Sequence, residues 1–228
     1  MTYSDYRRVA RENLNGNWPV SIGVAAVGWI LGGILVGSSF LPQFTFHFRG
    51  EATTLEEWLD LAMSIGGTFG ATTISLNLLS LAHFIIGGVI QLGYAQYLLK
   101  QYNKANFEFQ DLFSQFGRFG QGFAQKFLRA LYTFLWGLLF VIPGIVKGYA
   151  YAMTPFIMAE NPEMSASDAI TASKELMDGH KWELFTLDLT FIGWNLLAAL
   201  TLNLGYLALN PYKNATYAVF YKDLTAGK

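Results

Sequence analysis

The chain has 228 residues, no cysteine and a formal net charge of −1, and 14% of its residues are charged against 53% that are hydrophobic. A soluble domain has about 25% charged residues. The composition therefore excludes disulfides, thiolate metal sites and cysteine nucleophiles, and it lacks the basic character of nucleic-acid binders.

Charged side chains are absent from four long stretches, which are residues 13–48, 61–99, 130–146 and 189–212. A bilayer span needs roughly 20 mostly apolar residues. We therefore predict an all-α fold, a polytopic transmembrane helical bundle of about six hydrophobic helices, some short or kinked, with amphipathic interfacial helices. We expect a single integral membrane domain over residues 1–228, with hydrophobic segments at about 18–41, 74–99, 122–142, 145–160, 184–202 and 204–224.

A short basic helix is predicted at the amino terminus, over residues 4–15, with Ser4 as its cap. Its residues Tyr6, Ala10 and Leu14 share one face, so we expect the helix to lie on the membrane surface. The apolar run that follows is longer than the core of a signal peptide and has no convincing cleavage site, which indicates an uncleaved first span.

Polar residues follow one face of the second hydrophobic segment. Asn77, Ser80, His83 and Gln91 recur at helical spacing. Polar groups within a membrane face either the helix bundle or a water-filled cavity. Hydrogen bonding between helices is therefore one interpretation of this face, and a solute path is the other.

The distribution of basic residues predicts the orientation of the chain. Five basic residues lie within residues 100–129 and three in the amino-terminal helix, whereas Arg49 is the single basic residue of the acidic segment 42–61. Cytoplasmic loops carry the excess of lysine and arginine. We therefore expect a cytoplasmic amino terminus, with residues 100–129 on the same side and residues 42–61 outside.

Pro143, Gly144 and Lys147 mark a candidate bend. In one interpretation two helices meet at Pro143-Gly144, which leaves Lys147 at the outer headgroup level and residues 161–183 inside. In the other, one kinked helix leaves residues 161–183 outside and brings Lys147 near Asp188. We predict two helices, because a lysine at the centre of a span costs about 2.5–3.5 kcal/mol.

Residues 161–183 predict a short amphipathic helix that Ser165 caps and that lies on the membrane surface. Beyond it, Asp188 and Asn195 lie near one face of the following segment. A carboxylate within a membrane indicates a functional site by default, although Asp188 also suits a place at the membrane interface. The last segment is predicted to break at Pro211-Tyr212.

Four stretches carry a resemblance to a known family: "ENLNGNW", "IPGIVKGYAYAMTPFIMAENP", "SASDAITASKELMDGHKWELFTLDLTFIGW" and "NPYKNATYAVFYKDL". Together they resemble an uncharacterised bacterial integral membrane protein family catalogued as domain of unknown function 975. The resemblance implies a polytopic membrane protein, found mostly in Gram-positive bacteria. It implies no activity and no catalytic residues.

The chain contains no metalloprotease, hydrolase, phosphate-loop or dinucleotide-binding motif. We therefore predict no catalytic residues, no cofactor and no metal, and a multi-pass protein of the cell membrane. Its expected role is non-enzymatic, as a scaffold, a lipid-organising factor or a partner-binding subunit. A small-solute transporter or channel that uses the polar face of the second span is the alternative. The expected partners are the lipid bilayer and either other membrane proteins or further copies of the chain, and not nucleic acid.

Overall fold

The computed structural model describes residues 1–32, 78–139, 141–201 and 204–226. Within these ranges the chain is helical and contains no strand, so the all-α class is confirmed for them. Two short 3₁₀ helices, Phe109–Phe113 and Phe116–Arg118, precede the fourth helix. The α-helices are α1 (Tyr3–Leu14), α2 (Trp18–Gly32), α3 (Leu78–Tyr102), α4 (Phe119–Leu139), α5 (Val141–Ala150), α6 (Thr154–Glu160), α7 (Ala166–Leu176), α8 (Lys181–Leu189), α9 (Ile192–Leu200) and α10 (Tyr206–Ala226).

The cap of α1 is Thr2, and the prediction of Ser4 is wrong. Thr2 has an extended backbone, its hydroxyl accepts a hydrogen bond from the Asp5 N–H, and the Asp5 carboxylate accepts one of 3.0 Å from the Thr2 N–H. Ser4 already lies in the first helical turn. The apolar face of α1 is buried against α10, so protein covers the face that was expected to lie on the membrane.

Three predicted segments correspond to helices of the structure. Helix α2 covers the described part of segment 18–41, and α3 extends segment 74–99 as far as Tyr102. Helix α4 begins at Phe119, earlier than the segment predicted at 122–142.

Glycines allow α3 and α4 to cross closely. A Cβ built on Gly88 would lie 2.0 Å from the carbonyl oxygen of Gly122, a distance that no side chain permits. A second close approach joins α3 to the first 3₁₀ helix, because a Cβ on Gly93 would lie 2.1 Å from the Leu112 carbonyl oxygen. Small residues let helices approach in this way. The crossing brings the polar face of α3 against α4.

Helices α4 and α5 form an antiparallel pair, here named the first hairpin. Lys147 Nζ lies 4.6 Å from the centre of the Trp136 ring, and a Cβ on Gly144 would lie 2.9 Å from the Gly137 Cα. Pro143 lies in the first turn of α5, so the two helices do not meet at Pro143-Gly144 as predicted. A proline fits there because the first backbone N–H groups of a helix have no helical partner.

The predicted segment 145–160 is wrong as one helix, because it contains the end of α5 and the whole of α6. Helix α6 begins at Thr154, and Pro155 lies in its first turn. Pro155 therefore starts a helix instead of kinking one. Residues 154–158 are all buried, which makes α6 an inner helix.

Helix α7 has the predicted cap, since the Ser165 hydroxyl accepts a hydrogen bond from the Asp168 N–H. Its apolar residues Ala169, Ile170 and Leu176 are buried, and the helix packs on α4 and α6. The expectation that this face lies on the membrane surface is therefore wrong, because protein occupies it.

Helices α8 and α9 form one arm of a second antiparallel pair, and α10 forms the other arm. This pair is named the second hairpin. A Cβ on Gly205 would lie 2.7 Å from the Ala198 Cα, and further along the rings of Phe191 and Tyr212 meet edge to face at 5.4 Å. These contacts define an antiparallel pair. A turn between α8 and α9 divides the segment that was predicted at 184–202.

Helix α10 runs without interruption through Pro211, so the predicted break at Pro211-Tyr212 is wrong. A proline within a helix removes one hydrogen bond and costs about 3 kcal/mol. Packing offsets this cost, because Pro211 is buried and the Tyr212 ring contacts Phe191 and lies 6.0 Å from the Arg11 guanidinium.

One helical stretch among the described residues, Lys181–Leu200, is long and apolar enough to cross a membrane. It comprises α8 and α9, and most of its residues are not buried in protein. The core helix of a soluble domain passes the same test of length and composition, but such a helix is mostly buried. A shorter apolar helix covers Trp18–Gly28.

Candidate functional site

A partly buried carboxylate lies where the two hairpins meet. Asp188 Oδ2 accepts a hydrogen bond of 2.9 Å from the Tyr149 hydroxyl, and Oδ1 accepts one from the Tyr217 hydroxyl. Lys213 Nζ lies 3.0 Å from Oδ1, and the side chains of Asp188 and Lys213 are each 14% exposed. These four residues are named the Asp188 cluster.

Three helices contribute to the Asp188 cluster. Tyr149 is on α5 of the first hairpin, whereas Asp188 on α8 and Lys213 and Tyr217 on α10 belong to the second. The four-residue spacing of Lys213 and Tyr217 puts both on one helical face. Phe185 adds an edge-to-face contact with the Tyr149 ring at 5.9 Å. The cluster therefore joins the two hairpins.

The Asp188 cluster is electrically balanced, because one carboxylate faces one ammonium group. Both carboxylate oxygens are engaged within the protein, by two hydroxyl groups and Lys213. Removing one partner of a buried pair costs about 3–5 kcal/mol, since the remaining charge loses its compensation. A carboxylate held in this way stabilises a joint between helices.

Helix α10 makes two more contacts between a tyrosine and a carboxylate. The Tyr221 hydroxyl donates to Glu160 Oε2 at 2.7 Å, and Lys222 pairs with the same carboxylate. The Tyr6 hydroxyl of α1 donates to Asp223 Oδ2 at 2.6 Å. Burial, together with the bond to Asp223, raises the pKa of Tyr6, which keeps its hydroxyl protonated as a donor. Polar contacts thus join α10 to α1 and α6.

A second polar cluster joins α3 to α4 and consists of Gln91, Gln125 and Arg129. Gln91 Oε1 accepts a hydrogen bond of 3.2 Å from Gln125 Nε2 and one of 3.3 Å from Arg129 Nη1. No carboxylate of the described ranges forms a salt bridge with Arg129. These three residues are named the Arg129 cluster.

The polar face predicted for the second hydrophobic segment makes its described contacts to α4. Asn77 lies outside the described residues, and Ser80 lies in α3. His83 takes part through its backbone oxygen, which accepts a hydrogen bond of 3.2 Å from Lys126 Nζ. Gln91 takes part through its side chain in the Arg129 cluster. These contacts favour helix packing as the role of the face.

Asn195 does not join Asp188. Its Nδ2 donates to the Phe191 backbone oxygen at 3.0 Å, one turn earlier in the chain. Its own backbone oxygen accepts a hydrogen bond of 3.3 Å from the Tyr206 hydroxyl. Asn195 therefore secures the second hairpin near its turn and takes no part in a shared polar site.

At the candidate bend, Lys147 contacts an aromatic ring instead of Asp188. Its ammonium group lies over the Trp136 ring, and the ammonium group that faces Asp188 belongs to Lys213. Gly144 packs against α4, and Pro143 lies beside it in the first turn of α5. This is the arrangement expected of two helices, and a single kinked helix would not produce it.

Sequence reasoning missed Tyr149, Lys213, Tyr217 and Arg129 as members of polar clusters. A signal existed in α10, where Lys213, Tyr217 and Tyr221 recur every four residues. The predicted break at Pro211-Tyr212 hid the continuity of that helix. Tyr149 gave no local signal, because its partner lies 39 residues further along the chain.

An open cavity of about 610 Å³ lies between α1, α8 and α10, apart from both clusters. Tyr3, Tyr6, Glu183 and Asp223 contribute to its lining, together with His180, whose Nδ1 lies 3.0 Å from Glu183 Oε2. Among the described residues no group of three or more histidine, aspartate or glutamate side chains could hold a metal ion.

The carboxy-terminal part of the chain matches a protein-family model described as "Protein of unknown function (DUF975)", over residues 137–228. The resemblance that the sequence indicated is confirmed over these residues, which include every member of the Asp188 cluster. No curated protein and no solved structure matches the chain significantly.

Proposed function

We propose that this protein is a multi-pass integral membrane protein that works through lipid contact and helix packing, without catalysis, as a lipid-organising or partner-binding scaffold. Its amino terminus and residues 100–129 face the cytoplasm. The observation that carries the proposal is the apolar surface exposed at the turn ends of both hairpins.

Large apolar side chains are exposed along both hairpins and at their turn ends. Contiguous apolar patches on soluble proteins rarely exceed a few hundred Å², whereas lipid contact requires such a surface. The exposed residues are Phe127, Leu131, Phe134, Leu135, Trp136, Leu138, Ile142 and Val146 in the first hairpin and Leu189, Ile192, Trp194, Leu196, Leu197, Leu200, Leu204 and Leu207 in the second.

The dimensions of the second hairpin also support insertion into a bilayer. At 1.5 Å per residue Lys181–Leu200 reaches at most about 30 Å, since a turn joins α8 to α9, and the hydrocarbon core of a bilayer is about 30 Å thick. Asp188 lies at most about 18 Å from Leu200 on the same scale, which places the polar cluster towards the base of the hairpin. An apolar turn end with a polar base suits entry from one side of a membrane.

The contacts of the two polar clusters support a role without catalysis. Both oxygens of Asp188 are occupied by groups of the protein. Gln91 is engaged by Gln125 and Arg129, which favours packing over the alternative of a transporter or channel with a solute path along α3.

Cysteine labelling tests the membrane topology, because the chain has no cysteine of its own. A single cysteine at Thr53, which lies outside the described residues, should react with a membrane-impermeant reagent added to intact cells. A single cysteine at Asn106 should react only after the cells are opened. The reverse pattern, or release of the protein from membranes by alkaline carbonate, would contradict the proposal.

A flux assay in proteoliposomes separates the scaffold from the transporter. The scaffold predicts uptake of small solutes no faster than into protein-free liposomes. Uptake that depends on the protein and is lost in Gln91→Leu would favour the transporter. The matched control is Gln121→Leu, which changes an amide outside the Arg129 cluster.

A further inference from the structure

The guanidinium group of Arg129 is held by one end only. Nη1 donates to Gln91 Oε1 at 3.3 Å and to Gln125 Oε1 at 3.4 Å. Gln125 is itself fully buried, and its Nε2 donates to the Gly88 backbone oxygen at 3.4 Å and to Gln91 Oε1. The two amides therefore fix the orientation of the guanidinium group.

The opposite edge of the same group has no partner within the described ranges. Arg129 Nε is buried and makes no hydrogen bond, and Nη2 donates to no described group. Arg118 shows the usual arrangement for comparison, because its Nε and Nη2 both donate to Gln121 Oε1, at 2.9 and 2.7 Å. The Nε–Nη2 edge of Arg118 is therefore occupied by a protein group, whereas the same edge of Arg129 has no partner within the described ranges.

Arg129 is partly buried, and its Nε is enclosed by the protein. A guanidinium group withdrawn from water without a counter-charge is costly, because desolvation disfavours its charged form. The Nε–Nη2 edge carries two parallel N–H groups, which match the spacing of two oxygens of a phosphate or carboxylate group. Neutral amide oxygens at Nη1 satisfy hydrogen bonds but supply no negative charge. An anion at the Nε–Nη2 edge would supply hydrogen-bond acceptors and negative charge together.

We propose that the Nε–Nη2 edge of Arg129 binds a phosphate group, with Gln91 and Gln125 as the residues that position the guanidinium. Lys126 lies one turn earlier on α4 and adds a second cation to this side of the helix, which suits phosphate better than a single carboxylate. The phosphate belongs to a phospholipid headgroup or to a soluble anion. The proposal does not depend on the scaffold role, because either source would occupy the same edge.

Thermal unfolding of the full chain in a neutral detergent tests the proposal. Three additions are compared at constant ionic strength: sodium phosphate in place of sodium chloride, phosphatidylglycerol, and diacylglycerol as the phosphate-free control lipid. We expect phosphate, phosphatidylglycerol or both to raise the unfolding temperature, whereas diacylglycerol does not. Stabilisation by phosphatidylglycerol alone identifies a lipid headgroup, and stabilisation by phosphate alone identifies a soluble anion.

Variants assign the effect to the guanidinium edge. Arg129→Gln should weaken phosphate binding about 10- to 100-fold, as expected when a charge-assisted pair is lost. Gln91→Glu puts a carboxylate within reach of Nη1, so it should weaken phosphate binding about tenfold while the protein remains folded. Arg118→Gln is the matched control and should leave binding unchanged.

The proposal is overturned if neither phosphate nor phosphatidylglycerol stabilises the wild-type protein. It is also overturned if Arg118→Gln weakens binding as much as Arg129→Gln does, because the effect would then come from overall charge. Should Arg129→Gln fail to fold, Gln91→Glu decides the matter, and unchanged phosphate binding in that variant would contradict the proposal.

Discussion

The two hairpins share an apolar turn end, but they differ in how they accommodate buried charge. In the second hairpin, Asp188 and Lys213 compensate each other at 3.0 Å. In the first, Lys147 lies over the Trp136 ring and Arg129 faces two amide oxygens, and neither pairs with a carboxylate of the described ranges. One hairpin balances its charge within the protein, and the other presents cations.

This difference assigns different roles to the two hairpins. A balanced pair that tyrosine hydroxyls complete is a joint, because every group has its partner inside the protein. In the first hairpin the Lys147 charge meets an aromatic ring and the Arg129 charge meets neutral amide oxygens. The second hairpin therefore stabilises the fold through a balanced pair, whereas these two cations of the first hairpin have no such pair within the described ranges.

Removing the carboxylate of the joint should have the largest effect. Asp188→Ala leaves Lys213 buried without a counter-charge and two tyrosine hydroxyls without an acceptor, so we expect a loss of about 3–5 kcal/mol in the free energy of unfolding. Unfolding in detergent measures this loss. The control is Asp178→Asn, which removes an exposed pair with Lys181 at 2.9 Å and should cost less than about 1 kcal/mol. Equal losses in the two variants would show that the Asp188 cluster stabilises the protein no more than an exposed ion pair does.

Deleting one hydroxyl of the joint should have a smaller effect. Tyr217→Phe removes one donor to Asp188 and leaves Tyr149 and Lys213 in place, so we expect a loss of about 1.5–3 kcal/mol. The matched control in the first hairpin is Tyr132→Phe, whose hydroxyl makes no hydrogen bond in the described ranges although its ring lies 6.2 Å from that of Tyr151. Comparable losses in the two variants would contradict the account of the cluster.

A double-mutant cycle distinguishes the two lysines as partners of Asp188. Replacing Asp188 and Lys213 singly and together should give a coupling energy of about 0.5–3 kcal/mol, because the two side chains are in contact. The cycle of Asp188 with Lys147 should show additivity within about 0.5 kcal/mol. A larger coupling with Lys147 would mean that Lys147, and not Lys213, lies beside Asp188.

The smallest effect is expected at His83. The sequence alone suggests a loss of about 1–3 kcal/mol for His83→Ala, as for an interhelical hydrogen bond. In the structure His83 contacts Lys126 through its backbone oxygen, which the substitution keeps, so we expect a change within about 0.5 kcal/mol. A loss above 1 kcal/mol, measured by unfolding in detergent, would show that the imidazole itself holds α3.

Local signals in the sequence were sufficient where structure depends on neighbouring residues. The Ser165 cap, the division into two helices near Pro143 and the family resemblance of the carboxy-terminal part were all predictable. The amphipathic patterns of α1 and α7 identified the apolar face of each helix, but the prediction that this face lies on the membrane was wrong. They could not indicate what buries it, because lipid and protein require the same apolar residues.

Contacts between distant segments escaped sequence reasoning. The pairing of Asp188 with Tyr149 and Lys213 requires the relative positions of three helices, which no spacing within one segment contains. Pro211 shows the same limit, since the packing of its neighbour Tyr212 against Phe191 offsets the local preference for a break.

Depth measurement at the hairpin turns tests most directly whether the two turn ends lie in lipid. A fluorophore is attached to a single cysteine at Leu138, Leu200 or Asp178, and the protein is reconstituted into vesicles with quenchers on the lipid chains or in the aqueous phase. Asp178 is the control, because its side chain is exposed and lies between α7 and α8. The account predicts that lipid-chain quenchers act at Leu138 and Leu200 and aqueous quenchers at Asp178. Strong aqueous quenching at both leucines would contradict it.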